Sequence, residues 1–131
     1  MKFSWLIIII LLFTSCKSDC ADEKLLSSWQ HIESLIDIGD GNGTFSPVDS
    51  KKVITFHDNG TVTSTVSFCD NTQEETGMTA TYDKNAKLIT PGDCNTSRQK
   101  TAYYFENEFL ILNYQGCIEP CLEKYERITQ N

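Results

Sequence analysis

The chain has 131 residues, with 11 Lys and Arg against 18 Asp and Glu and a formal net charge of −7. A surface this acidic repels the phosphates of nucleic acid and of anionic headgroups, so no nucleic-acid partner is expected. The length suits one domain and is too short for two.

Lys2 is followed by an apolar run from Phe3 to Phe13 and then by Thr14, Ser15 and Cys16. A charged start, a short apolar run and small residues at its end make a secretory signal. The run falls short of the roughly 20 residues that span a bilayer. Leu12, Phe13, Thr14 and Ser15 ahead of Cys16 resemble the bacterial lipoprotein signal, whose cysteine is diacylated, freed by cleavage and then N-acylated. The resemblance implies a signal peptide over residues 1–15, lipidation at Cys16, a tether over 16–23 and one folded domain over 24–131. Lys17 after the cysteine resembles the arrangement that sorts lipoproteins to the outer membrane. More than one acyl chain holds even an acidic protein stably at a membrane, so the membrane is an expected partner through Cys16.

Asp22 predicts the cap of a brief helix through Leu25, Leu26 and Ser28. From Trp29 onward the pattern alternates at period two, the signature of half-buried strands. The first strand is predicted over Trp29 to Ile38, with Ile32, Ile36 and Ile38 on one face and a bulge at Leu35. Gly39 to Ser50 is a long loop, read as a lid over the barrel mouth. Val53 to His57 and Thr61 to Cys69 flank Asp58-Asn59-Gly60, and Asn-Gly accepts the positive φ angles of a tight hairpin turn. Asp70 to Thr76 reads as a loop, Met78 to Tyr82 and Lys87 to Thr90 as two short strands, and Pro91 to Arg98 as a further loop. Gln99 to Glu106 and Phe109 to Gln115 form a second hairpin, and Leu122 to Ile128 is the last strand. Eight short antiparallel strands in a row predict an all-β, up-and-down closed barrel, because closure removes exposed edges.

Cys20, Cys69, Cys94, Cys117 and Cys121 remain once Cys16 is lipidated, and export to an oxidising compartment favours disulfides. Gly116 and Pro120 bracket a turn able to bring Cys117 to Cys121, since a bridge needs Cα atoms roughly 4.4–6.8 Å apart. Cys69 with Cys94 follows by elimination, which leaves Cys20 as a free thiol of unassigned role. A zinc site on Cys69, Cys94, Cys117 and Cys121 is the competing idea, but the close two-residue spacings of zinc ribbons are missing.

A short helix, Trp29 opening the first strand, a glycine-rich loop over Gly39 to Val48, the hairpin Ile54 to Val62 and the final stretch Cys117 to Ile128 are similar, in that order, to the small lipocalin-like domains of bacterial lipoproteins. Ser27-Ser28-Trp29 stands where larger lipocalins carry Gly-x-Trp. The resemblance implies that Arg127 packs over Trp29 to plug one barrel end, and that the interior holds a small hydrophobic ligand. Inward positions by alternation are Ile54, Phe56, Val62, Val66, Phe68, Met78, Ala80, Tyr82, Tyr104, Leu110, Leu112 and Tyr125. Of these, Phe56, Phe68, Met78, Tyr82, Tyr104 and Leu112 are the expected ligand-binding residues. Eight strands leave room either for a small ligand or for side chains that fill the barrel. The alternative function is therefore a filled barrel whose loops, Gly39 to Ser50 and Asp70 to Thr76, grip a protein partner.

Nothing in the sequence assembles a catalytic set. His31 and His57 are its histidines, His57 sits beside Asp58 at a hairpin tip, and Gly-x-Ser-x-Gly and His-Glu-x-x-His are both absent. A non-enzyme without a cofactor is expected. Asp40, Asn42, Gly43, Phe45 and Asp49 partly match a calcium loop, but Ile38 occupies the place of its first carboxylate, so no metal is expected.

Overall fold

Residues 23–68, 77–92 and 100–129 are described by the computed structural model. Alternation is what builds it: along each strand one side chain in two turns inward, and the inward sets of successive strands meet. The strands are β1 (Ser28–Ile36), β2 (Ser46–Pro47), β3 (Val53–Phe56), β4 (Thr61–Ser64), β5 (Met78–Asp83), β6 (Leu88–Pro91), β7 (Thr101–Glu106), β8 (Phe109–Tyr114) and β9 (Cys121–Arg127). They pair antiparallel in the order β1-β3-β4-β5-β6-β7-β8-β9, and β9 returns to β1, from Trp29 opposite Arg127 to Ile36 opposite Cys121. The result is the expected closed eight-stranded up-and-down barrel. β2 is a short extra strand that pairs with β1 at Glu33 and Ser34, beyond the point where β3 leaves it.

The hairpin signals hold. Gly60 has φ +81° at the β3–β4 turn, and Asn59 Oδ1 accepts the Thr61 amide at 3.0 Å. Asn107 takes φ +56° between β7 and β8. In β1 the register shifts between His31 and Glu33, so the bulge falls at Ile32 and not at Leu35. A bulge adds one residue and flips the faces beyond it. Trp29 and His31 therefore point inward, and Ile36 and Ile38, expected to share a core face, are 64% and 88% exposed.

Trp29, Ile54, Phe56, Val62, Phe68, Ala80, Tyr82, Ile89, Tyr103, Leu110, Leu112 and Tyr125 form the core, with Met78, Phe105 and Tyr114 packed against it. Tyr104 was expected inward and is 39% exposed, whereas its neighbour Tyr103 is buried. Tyr103, Tyr104 and Phe105 are consecutive aromatics, so apolarity alone does not set the face. The loop after β1 is stitched back along that strand instead of standing as a free lid. Val48 donates its amide to the Ile32 carbonyl at 3.0 Å, and the Phe45 ring lies under the Lys124 ammonium, 4.3 Å from its centroid.

The two barrel ends differ. The turns at 57–60, 84–87 and 107–108, together with the start and finish of the described chain, gather at the Trp29 end. Leu25 is buried beneath that end and its carbonyl accepts Trp29 Nε1–H at 3.2 Å. The longer connections leave from the opposite end, called here the mouth. Asp22, the expected helix cap, lies outside the described residues, as do Cys16, Cys20, Cys69 and Cys94.

Candidate functional site

Lys52 lies two positions before Ile54, which places it on the inward register of β3 just before the strand begins. It is 2% exposed. Its ammonium donates to Glu123 Oε2 at 2.9 Å, to Glu123 Oε1 at 3.2 Å and to Tyr114 Oη at 2.6 Å. Tyr114 and Tyr125 both donate their hydroxyls to Glu123 Oε2. A buried carboxylate is thus matched by one cation and two hydroxyl donors, which is what burial of charge requires.

Electrostatics follow from that packing. Burial by itself would raise the Glu123 carboxyl, but the Lys52 ammonium, His31 and the two tyrosine hydroxyls outweigh it and hold the group below its ordinary value. Burial, reinforced by the neighbouring carboxylate, pushes both Tyr114 and Tyr125 well above the usual phenol range. His31 lies against Tyr125, with ring centroids 5.2 Å apart. Burial lowers its imidazole below the ordinary value. Its Nε2 lies 3.1 Å from the Glu33 carbonyl, which only accepts, so Nε2 carries the proton and Nδ1 accepts from the Ser50 hydroxyl at 2.9 Å.

Above this cluster the mouth opens as a cleft of about 280 Å³, lined by His31, Ser34, Val48, Asp49, Tyr114 and Glu123, among others. Its rim on the β1–β9 side carries bare apolar side chains. Ile118 is fully exposed on the loop before β9, and Ile36 and Ile38, at and just past the end of β1, are exposed as well. The Cys117–Cys121 disulfide, with Cα atoms 6.1 Å apart, pins the loop that bears Ile118. The Asp37 amide joins that loop to the end of β1 by donating to the Pro120 carbonyl at 3.2 Å. Asp37 Oδ1 accepts the amides of Gly39 and Gly41 at 2.8 and 3.3 Å. Those bonds, Gly39 foremost, hold its carboxyl below the usual range.

Of the six residues expected to bind a ligand, five lie inside the barrel and Tyr104 does not. Phe56, Phe68, Tyr82 and Leu112 are buried, Met78 is half-buried and Tyr104 faces out. Phe56 meets Tyr82 edge-on at 5.0 Å and Tyr103 at 5.5 Å, so aromatic rings fill the barrel toward the Trp29 end. The two tyrosines donate their hydroxyls to the His57 and Asp83 carbonyls. Arg127 stands opposite Trp29 in the ladder, but its Nε donates to Ser27 Oγ at 2.9 Å. Lys24, not Arg127, sets its ammonium over an aromatic ring here, 5.1 Å from the Phe105 centroid. The Cys117–Cys121 pairing agrees with the expectation from the turn around it. Among the described residues no three His, Cys, Asp or Glu side chains converge as metal ligands.

Reasoning from sequence missed Lys52, Glu123, His31 and Tyr114. The signal was present in the parity. Lys52 precedes Ile54 and Phe56 by two and four, Glu123 precedes Tyr125 by two, and His31 follows Trp29 by two. Polar type pointed each of them toward solvent. No protein-family model matches this chain, and neither a curated protein nor a solved structure shows significant similarity to it.

Proposed function

We propose that this protein is a lipid-anchored outer-membrane lipoprotein whose lipocalin-like barrel does no chemistry and instead holds a protein partner at its mouth. The observation that carries this reading is the exposed isoleucine rim, Ile36, Ile38 and Ile118, fixed by a disulfide above an interior occupied by side chains. Exposed apolar side chains on neighbouring segments favour an interaction surface. A carrier of hydrophobic molecules needs an apolar cavity, whereas the cleft beneath the rim is floored by His31, Tyr114 and Glu123.

Orientation supports the same function. An anchor at Cys16 leads into the domain at the Trp29 end, and β1 runs nine residues from Ser28 to Ile36, roughly 30 Å at about 3.3 Å per residue. The mouth then faces away from the anchoring membrane. Photo-crosslinking in intact cells tests the reading, with the photoreactive side chain placed at position 118 or, as a control, at position 85. A discrete protein adduct from 118 that is missing from 85 is the expected result. Equal adducts from both positions, or an apolar molecule retained by the full chain in native mass spectrometry, would overturn it.

A further inference from the structure

The mouth also states the chemistry of its partner. Exposed carboxylates stand on the same segments as the isoleucines: Asp40 after β1, Glu119 between Ile118 and Pro120, and Asp49 in the cleft wall. An ideal Cβ placed on Gly39 would stand 3.5 Å from Glu119 Oε1, so the two acidic segments are neighbours. Mouth-end cations among the described residues are Lys51 and Lys100 on the rim, with Lys52 below it, and Lys52 is buried and committed to Glu123. The cleft itself combines Asp49, Ser34, Ser50 and Glu123 with the apolar walls Leu35, Val48 and Leu122. Glu123 Oε1 accepts one bond, from Lys52, while Oε2 accepts three. A carboxylate offers about four lone-pair sites, so Glu123 is filled from within, and the exposed carboxylate of the cleft is Asp49.

We propose that the mouth docks a basic–apolar segment of a protein partner. A Lys or Arg side chain pairs with Asp49 at the edge of the cleft, with its methylene stem along Val48 and Leu122, and the adjoining apolar side chains cover Ile36, Ile38 and Ile118. An amphipathic cation suits a cleft with apolar walls and an acidic edge. Membrane headgroups do not suit it, because anionic lipid is repelled by the same carboxylates. This inference rests on the protein-interaction reading and specifies it.

The test uses the full chain and three synthetic peptides, one alternating Lys and Leu, one with every Lys replaced by Glu, and one with every Leu replaced by Ser. Binding is read by fluorescence anisotropy at low and at physiological salt. The Lys/Leu peptide is expected to bind at least tenfold more tightly than either other peptide and to weaken as salt rises. Asp49→Asn and Ile118→Ser, both at exposed positions and checked for unchanged thermal melting, are each expected to weaken it tenfold, and Glu106→Gln at the opposite end is expected to leave it unchanged. Equal binding of the Glu/Leu peptide, or wild-type affinity in both mouth variants, overturns the proposal. A crosslinked partner at position 118 without Lys/Leu binding removes the basic–apolar chemistry and leaves the interaction reading standing. Absence of both removes both.

Discussion

Lys52 Nζ and Glu123 Oε2 lie 2.9 Å apart inside the barrel although 71 residues separate them along the chain. The pair joins the approach to β3 to β9 beside the closure between β1 and β9. Removing one partner strands a buried charge, which costs about 3–5 kcal/mol. Lys52→Met is therefore expected to lose about that much in urea unfolding. Lys52→Met combined with Glu123→Gln leaves no unpaired charge and keeps an acceptor for the tyrosines, so it should recover about 2 kcal/mol of the loss. Additive single effects would show that the two groups are not coupled.

The same cluster sets a two-stage acid response. His31 has its pKa lowered from an ordinary 6.5 in the fold, so as pH falls the unfolded chain takes up that proton first. Its contribution is whole above pH 6.5 and drains away below it until the folded ring protonates too. Glu123 is lowered from an ordinary 4.5; its contribution is whole above that value and is lost as pH falls through the folded pKa. Unfolding midpoints should hold near pH 7, decline below about 6.5 and fall more steeply below about 4.5. His31→Gln should flatten the first decline and soften the second, because His31 also helps to hold the Glu123 carboxyl low. A wild-type midpoint that stays constant from about pH 7 to 5 would contradict the assignment of a neutral buried His31.

At the Trp29 end the hydrogen bonds separate a plug from a bystander. Trp29 is fully buried, bonded to Leu25 and 5.6 Å from the Phe105 ring. Trp29→Ala should cost about 3–5 kcal/mol. Arg127 is exposed and bonded to Ser27, so Arg127→Ala should change stability by no more than about 0.5 kcal/mol. Thermal melts of the two variants check this, and a large Arg127 effect would restore the plugging role that the lipocalin resemblance implies.

What was legible in the sequence follows the physics of alternation. β3, β4 and β5 each carry one apolar and one polar face, and Ile54, Phe56, Val62, Ala80 and Tyr82 point as their parity requires. β1 and β7 defeated the same reasoning for different reasons. A bulge at Ile32 reverses parity halfway along β1, and nothing local marks it. Three aromatics in succession make β7 equally apolar on both faces, so Tyr104 and Tyr103 exchange places. The site was hidden by a third effect. Lys52 and Glu123 are tolerated inside only because they meet each other, and that meeting is a property of barrel closure, which no local window contains. The turn at Cys117 to Cys121 was readable because its geometry is set within five residues.

Thr101 offers a last check on how that interior is built. It opens β7 opposite Tyr114, on the inward register with Tyr103, is 1% exposed, and its Oγ1 has no hydrogen-bond partner among the described residues. A buried hydroxyl without a partner keeps its desolvation cost and gains nothing in return. Thr101→Val retains the branched shape that strands favour and removes that cost, so it is expected to stabilise the barrel by about 1 kcal/mol in urea unfolding. The gain should be additive with Arg127→Ala, which lies at the other end, because distant sites without shared partners act independently. Destabilisation by Thr101→Val would mean that the hydroxyl is satisfied by an ordered water, and a high-resolution crystal structure would then show that water beside Oγ1 at the mouth end of β7.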